Sequence, residues 1–81
     1  MTIRALFFAR YREIAGTDAL DVELPAGASA SELVHRLRAA GGAWESLPAA
    51  PAIAVNQSYA PLSTPLAHGD EVAFIPPVSG G

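Results

Sequence analysis

The stretch LDVELPAGASASELVHRLRAA, residues 20–40, decides the fold because it joins a strand pattern to a helix pattern. Its first five residues alternate apolar and acidic side chains, which predicts a half-buried strand. Pro25 ends that strand, and Ser29 with Glu32 three positions later gives the capping-box signature of a helix start. We therefore predict the main helix over residues 30–40.

The predicted main helix has one apolar face. Leu33, Val34 and Leu37 fall together on that face by the 3.6-residue period. Gly41 and Gly42 follow and end the helix. Because a single apolar face must be buried against another layer, the sequence predicts a helix that lies on a sheet.

Four further segments are predicted as strands. Residues 3–8 form an apolar run, which predicts a central strand with both faces covered, and residues 52–55, 59–62 and 71–75 are shorter extended pieces. A short helix over residues 10–15 follows the first strand. One long helix crosses between strands, and the first and last strands are apolar enough to pair centrally. We therefore predict an α+β fold of the β-grasp type, with a mixed sheet of about five strands and the main helix on one face.

Length and charge argue against several classes of protein. At 81 residues the chain forms one domain, and its formal charge of −3 argues against nucleic acid, which needs a basic surface. The sequence has no apolar run of membrane-spanning length and no signal-peptide pattern. We expect no nucleic-acid partner, no membrane partner and a cytoplasmic location.

The side chains offer little chemistry of their own. The chain has no cysteine, so it has neither a thiolate nucleophile nor a sulfur ligand for a metal. No glycine-rich phosphate loop follows a strand, and His35 and His68 have no neighbouring ligand at a suitable spacing. We predict no bound cofactor and no metal, which leaves the C-terminal carboxylate as the distinctive reactive group.

The chain ends in PPVSGG, which predicts a flexible tail over residues 76–81 after a globular domain over residues 1–75. Glycine has no Cβ, so Gly80 can pass through a channel too narrow for a side chain. A carboxylate is anionic at neutral pH and a poor acyl donor, so Gly81 needs activation by a separate ATP-using enzyme. Six extended residues reach roughly 20 Å, enough to enter a buried pocket of a partner.

Residues near the base of the tail are candidates for binding a partner. Phe74 and Ile75 point to opposite sides of the last strand, and Phe7 is expected beside them. For these apolar residues both core packing and an exposed docking patch on the sheet face away from the helix stay open. Arg12 either pairs with an acidic residue of a partner or is merely solvated. The remaining candidates are the tail residues Pro76, Pro77, Val78 and Ser79.

Three segments resemble one known family. They are the opening Leu6-Phe7-Phe8-Ala9, the central Ala54-Val55-Asn56-Gln57 and the closing GDEVAFIPPVSGG of residues 69–81. These segments resemble the small, sulfur-carrier subunit of molybdopterin synthase, the MoaD family. The resemblance spans the whole chain and is most specific in its last thirteen residues.

The resemblance implies a fold, a chemistry and a set of partners. The fold would be the ubiquitin-like β-grasp. A ubiquitin-activating-enzyme-like adenylyltransferase would use ATP to adenylate Gly81, and a sulfur donor would convert the adenylate to a thiocarboxylate. The large synthase subunit would receive the tail and transfer the sulfur to cyclic pyranopterin monophosphate, forming the dithiolene of molybdopterin. Two small subunits would sit at the ends of a large-subunit dimer in a heterotetramer, as non-catalytic carriers.

Three alternatives stay open at this point. A carrier of the same chemistry could serve thiamine or cysteine synthesis. A ubiquitin-like modifier would instead join Gly81 to a target lysine by an isopeptide bond. A small structural domain with an inert tail would need neither terminal glycine.

Overall fold

The structure is a computed structural model that describes residues 1–77. Its strands are β1 (Thr2–Phe7), β2 (Ala19–Glu23), β3 (Ala52–Val55), β4 (Ser58–Ala60) and β5 (Glu71–Ile75). Its helices are α1 (Ala9–Ala15), α2 (Ala30–Ala39) and a 3₁₀ helix (Gly42–Ser46). This order confirms the predicted sequence of elements and adds the 3₁₀ helix.

The five strands form one mixed sheet in the order β2-β1-β5-β3-β4. β1 and β5 are parallel, with Phe7 opposite Phe74, and the other neighbours are antiparallel. The first and last strands of the chain therefore pair with each other near the middle of the sheet, as predicted. This arrangement confirms the α+β, β-grasp prediction.

The hydrophobic core lies between α2 and one face of the sheet. Leu33, Val34 and Leu37 are all buried, which confirms the apolar face predicted for the helix. Burying a large apolar side chain contributes about 1.5–3 kcal/mol, so a few such residues account for much of the stability of a small domain. The largest fully buried side chains are Phe7, Phe74, Ile3, Leu33, Leu47, Ile53 and Val72.

The start of α2 differs from the sequence prediction. Ser29 is the N-cap residue, but its side chain makes no capping hydrogen bond, so the predicted capping box is wrong. The backbone of a distant loop replaces it, because the Ala30 N–H donates to the Thr64 carbonyl at 3.0 Å and the Ser31 N–H donates to the Leu62 carbonyl at 2.8 Å. These two bonds satisfy N–H groups that a helix start leaves free.

β1 also differs from its prediction. Only the face that carries Ile3, Ala5 and Phe7 is buried, whereas Arg4 is exposed and Leu6 is half-buried. The prediction that both faces of β1 are covered is therefore wrong. Because α2 packs on one side of the sheet, the other side is left open.

Candidate functional site

The C-terminal tail begins at the end of the central strand. β5 lies between β1 and β3, and its last residue, Ile75, still pairs with Ala52. Pro76 and Pro77 come next, and proline has no N–H to donate to a strand ladder. Pairing therefore ends at Ile75, and the root of the tail is fixed by a strand that is paired on both sides.

The start of β5 is anchored by a side chain from the turn after β3. The Asn56 side-chain amide donates to Asp70 Oδ1 at 3.1 Å, and its oxygen accepts the Glu71 N–H at 3.0 Å. Asp70 Oδ2 in turn accepts the Ala67 N–H at 2.8 Å. This network fixes the register of the strand that carries the tail.

The sheet face that points away from α2 carries a strip of apolar side chains, which we call the outer strip. Residues paired across neighbouring strands share a face, and register joins Leu6 to Ala73, Ala73 to Ala54, and Ala54 to Tyr59. The members of the outer strip are Leu6, Phe8, Ala52, Ala54, Tyr59, Ala73 and Ile75. It crosses four of the five strands and includes the last strand residue before the tail.

Two aromatic side chains stand at the ends of the outer strip. Phe8 is 49% exposed and Tyr59 is 79% exposed. The residues between them include alanines, whose short side chains leave the middle of the strip recessed. A hollow of about 400 Å³ next to the tail root is lined by Tyr59, Ile75, Pro76 and other apolar residues. A second hollow of about 510 Å³ lies around Phe8. A surface of this kind can receive protruding apolar groups of a partner.

Phe7 and Phe74 are core residues. Their side chains are 1% and 0% exposed, and their rings stack with centroids 5.3 Å apart. Both were candidates for partner binding, with core packing left open; because their buried side chains offer a partner no surface, that candidate role is corrected to a packing role. Their chain neighbours Phe8 and Ile75 take the positions on the open face.

Ile75 is the one member of the outer strip that was among the predicted site residues, and the members that were missed include the two exposed aromatic residues, Phe8 and Tyr59. One signal could have placed Phe8 on the open face. Arg4 belongs on an open face, and Leu6 and Phe8 follow it at intervals of two residues. Tyr59 carried no such signal, because its face is set by pairing with Ala54.

Arg12 lies at the border of the outer strip. Its guanidinium lies 3.4 Å from the carboxylate of Asp18, and the two side chains are 61% and 79% exposed. An ion pair this exposed contributes little to stability, so Asp18 restrains Arg12 only weakly. Arg12 lines the same hollow as Phe8, beside the outer strip.

The histidines lie apart from this surface. His35 is exposed on α2, and Nδ1 of His68 accepts a hydrogen bond from the Thr2 N–H at 3.0 Å. Within residues 1–77, no three histidine, cysteine, aspartate or glutamate side chains are grouped in a way that could hold a metal ion. The helices in this part of the chain are also too short or too polar to cross a membrane.

Comparison with known proteins identifies the family to which the chain belongs. A model of the ThiS family matches residues 5–81, which is nearly the whole sequence. The chain belongs to the ThiS family. Curated relatives named molybdopterin synthase sulfur carrier subunit include one from Chlamydomonas reinhardtii, 41% identical over 83 residues with both chains fully covered. Another, from Escherichia coli, is 41% identical over 83 residues, covering 98% of this chain and 99% of that one. These relatives confirm the resemblance found in the sequence.

Solved structures confirm the ubiquitin-like β-grasp fold of this ThiS-family chain. SAMP1 from Haloferax volcanii superimposes with a TM-score of 0.85 at 30% identity, and both chains are fully covered. A chain from the complex of subunits 1 and 2 of the molybdopterin-converting factor of Helicobacter pylori matches with a TM-score of 0.72 at 26% identity, again with full coverage of both.

The predicted tail lies mostly outside the described residues. Pro76 is half-buried and Pro77 is exposed, whereas Val78, Ser79, Gly80 and Gly81 lie beyond residue 77. The match to the ThiS family runs to residue 81 and so includes them. Their roles in acyl transfer, threading and partner binding stay predictions.

Proposed function

We propose that this chain is the sulfur carrier subunit of a molybdopterin synthase and that it carries sulfur as a thiocarboxylate on Gly81. The observation that supports the proposal most directly is 41% identity, along the full chain, to proteins named molybdopterin synthase sulfur carrier subunit. The structure supports it independently, because the root of the tail leaves the central strand beside an apolar open surface.

The proposed chemistry starts with activation of the terminal carboxylate. The carboxylate of Gly81 attacks the α-phosphorus of ATP on a ubiquitin-activating-enzyme-like partner, which releases pyrophosphate and forms an acyl adenylate. Hydrosulfide supplied by a donor then attacks the acyl carbon and expels AMP, and loss of the remaining S–H proton leaves a thiocarboxylate. The chain has no cysteine, so the sulfur comes from another molecule. No cofactor is bound by the carrier itself, and ATP acts only through the activating partner.

Transfer takes place in the large synthase subunit. The thiocarboxylate sulfur bonds to a side-chain carbon of cyclic pyranopterin monophosphate as the carbon–oxygen bond at that carbon breaks and the oxygen substituent leaves, and water then cleaves the bond between sulfur and the acyl carbon of Gly81. Sulfur stays on the pterin as part of the dithiolene, and the carboxylate of the carrier is regenerated. The carrier is therefore consumed and recharged, and it supplies a reactive end group rather than a catalytic side chain.

The large subunit is expected to dock on the outer strip. The Helicobacter pylori chain to which this one is similar was solved in complex with its subunit 2. In our chain the outer strip is continuous with Ile75 and the tail root, so one partner can cover the strip and receive the tail. We propose a heterotetramer with two carriers at the ends of a large-subunit dimer. Because activation consumes ATP, we expect this chemistry in the cytoplasm.

Intact mass spectrometry tests the proposal. The chain is incubated with its activating enzyme, ATP and a sulfur donor, and we expect a mass gain equal to the replacement of one oxygen by sulfur at Gly81. A chain without Gly81 is the matched control and should show no gain. An unchanged mass of the full chain under conditions that form AMP would contradict the proposal.

A second candidate function is covalent protein modification. The small archaeal modifier protein 1 of Haloferax volcanii superimposes with a TM-score of 0.82 at 28% identity over 95% of this chain, so the same fold occurs in a protein called a modifier. Our chain has five basic residues, all of them arginine, so it lacks a lysine side chain on which a second copy could be added. We therefore expect conjugates without chains of linked copies. Immunoblots of cell lysate would show discrete conjugates for a modifier and only the free chain for a dedicated carrier.

Thiamine or cysteine synthesis is the other alternative for a sulfur carrier. A deletion strain separates these functions from the proposed one. Loss of molybdoenzyme activity supports the molybdopterin assignment, whereas a requirement for thiamine or cysteine supports the alternative.

A further inference from the structure

Ala9 has a backbone conformation that alanine rarely adopts. Its φ is +48°, in the left-handed region, where the Cβ of an L-residue crowds the following carbonyl. The other end of the same helix, α1, also needs a left-handed residue, and there the chain has Gly16 at φ +73°. The residue type therefore explains the left-handed backbone at Gly16, after the end of α1, but not the left-handed backbone at Ala9, where α1 begins.

Tertiary packing on both sides of Ala9 explains its conformation. Phe7, the last residue of β1, and Tyr11, in the first turn of α1, are both buried in the core at 1% and 4% exposure. Phe8 lies between them with extended φ and ψ and serves as the N-cap of α1. Its carbonyl accepts the N–H groups of Tyr11 at 3.0 Å and Arg12 at 3.4 Å. The strand thus turns into the helix at one residue, with no loop between them.

The direct connection between β1 and α1 determines the face of the sheet on which the Phe8 side chain lies. With Phe7 directed into the core, strand alternation directs Phe8 to the open face, and the turn at Ala9 begins before the chain can bury it. Phe8 is 49% exposed and lines a hollow together with Leu6 and Arg12. The left-handed backbone of Ala9 thus allows Phe7 and Tyr11 to be buried while Phe8, between them, is exposed on the outer strip.

We propose that Ala9 is a positioning residue whose left-handed backbone holds Phe8 on the outer strip for docking of the large synthase subunit. The inference rests on the proposed function, since that function supplies the partner. It assigns no contact with the partner to Ala9. Ala9 affects binding only by setting the position of the Phe8 side chain.

A double-mutant cycle tests this coupling. Ala9→Val places a β-branched residue where φ is positive, which such side chains avoid, whereas Ala9→Asn and Ala9→Gly tolerate that region. Each change is made with Phe8 present and in the Phe8→Ala background, and the affinity for the large subunit is measured by calorimetry. We expect A9V to weaken binding roughly tenfold with Phe8 present and to change it little in the F8A background, because coupled residues are not additive. A9N and A9G should bind within about threefold of the parent chain.

Two results would overturn the inference. One is an A9V chain that binds as tightly as the parent. The other is an A9V chain that weakens binding equally with and without Phe8, which would mean that residue 9 acts by another route. Circular dichroism and Trp44 fluorescence at the assay temperature show whether each variant is folded, because Trp44 packs 5.4 Å from the Phe7 ring.

A synthetic chain with D-alanine at position 9 keeps the inference testable if A9V does not fold. D-alanine favours positive φ, so this chain should have a higher Tm than the parent and should bind the large subunit equally well. A lower Tm or weaker binding would overturn the inference. Failure of the parent chain itself to bind the large subunit would instead contradict the proposed function, while the change in Tm would still report on the conformation of residue 9.

Discussion

The two faces of the sheet use the same strands for different purposes. On the inner face Phe7 and Phe74 are fully buried and stack on each other, whereas on the outer face their neighbours Phe8 and Ile75 remain accessible. One main helix can cover one face, so a strand in this small domain supplies core residues and surface residues at alternating positions. Adjacent residues of the same type therefore have separate effects on stability and on partner binding.

Phe7→Ala should have the largest effect on the inner face. Removing a buried phenylalanine costs about 3–5 kcal/mol of unfolding free energy, because a cavity remains where the ring was. That loss is comparable to the whole stability of many small domains. Urea denaturation followed by circular dichroism should show a chain that is largely unfolded without denaturant. A midpoint close to that of the parent chain would contradict the assignment of Phe7 to the core.

Phe8→Ala is the matched change on the outer face. It should alter the unfolding free energy by no more than about 0.5 kcal/mol, because the ring is half exposed. Binding to the large subunit should weaken by about 2 kcal/mol, the size typical of a central aromatic contact. Denaturation and calorimetry on the same preparation measure the two quantities. Equal losses of stability in F7A and F8A would remove the distinction between the faces.

Tyr59→Ala tests how far the docking surface extends. Tyr59 is the most exposed large apolar residue in the described part of the chain and lies at the opposite end of the outer strip from Phe8. We expect a loss of about 1–2 kcal/mol in binding to the large subunit and no measurable loss of stability. If Y59A binds as the parent does while F8A does not, the interface covers only the β1 side of the strip.

The Arg12 and Asp18 pair should have the smallest effect. Both side chains are mostly exposed, so Asp18→Asn should change stability by less than about 0.5 kcal/mol. If Arg12 pairs with an acidic residue of the partner, D18N should tighten binding slightly and steepen its dependence on salt concentration. Calorimetry at two salt concentrations measures the affinity of each chain for the large subunit and its dependence on salt. Identical salt dependence in the parent and D18N chains would leave Arg12 as a solvated residue.

Most of the fold could be predicted from the sequence because its signals are local. The apolar period of Leu33, Val34 and Leu37 and the glycines after α2 are enough to place the main helix, and short apolar runs place the strands. The capping of α2 could not be predicted, because its first N–H groups bond to Leu62 and Thr64, about thirty residues away. Local patterns carry no information about such a contact.

The candidate site was predicted less completely. The tail and its root follow directly from the closing residues. For Phe7 and Phe74 the sequence left core packing and docking both open, because the apolar run of β1 hides its alternation and the alternation of β5 does not show which of its faces is covered. Thr2 and Arg4 are the polar residues that mark the phase of β1. The left-handed turn at Ala9 has no signal in the residue type and follows only from the burial of Phe7 and Tyr11.

Complementation of a deletion strain tests the central claim most directly, namely that the acyl group of Gly81 carries the sulfur and the globular domain delivers it. The full chain and a chain without Gly81 are expressed at equal levels, and molybdoenzyme activity is measured. We expect the full chain to restore activity. The shortened chain keeps all the residues of the described fold and should restore none, because it lacks the acyl group of Gly81. Restoration of activity by the shortened chain would contradict the account.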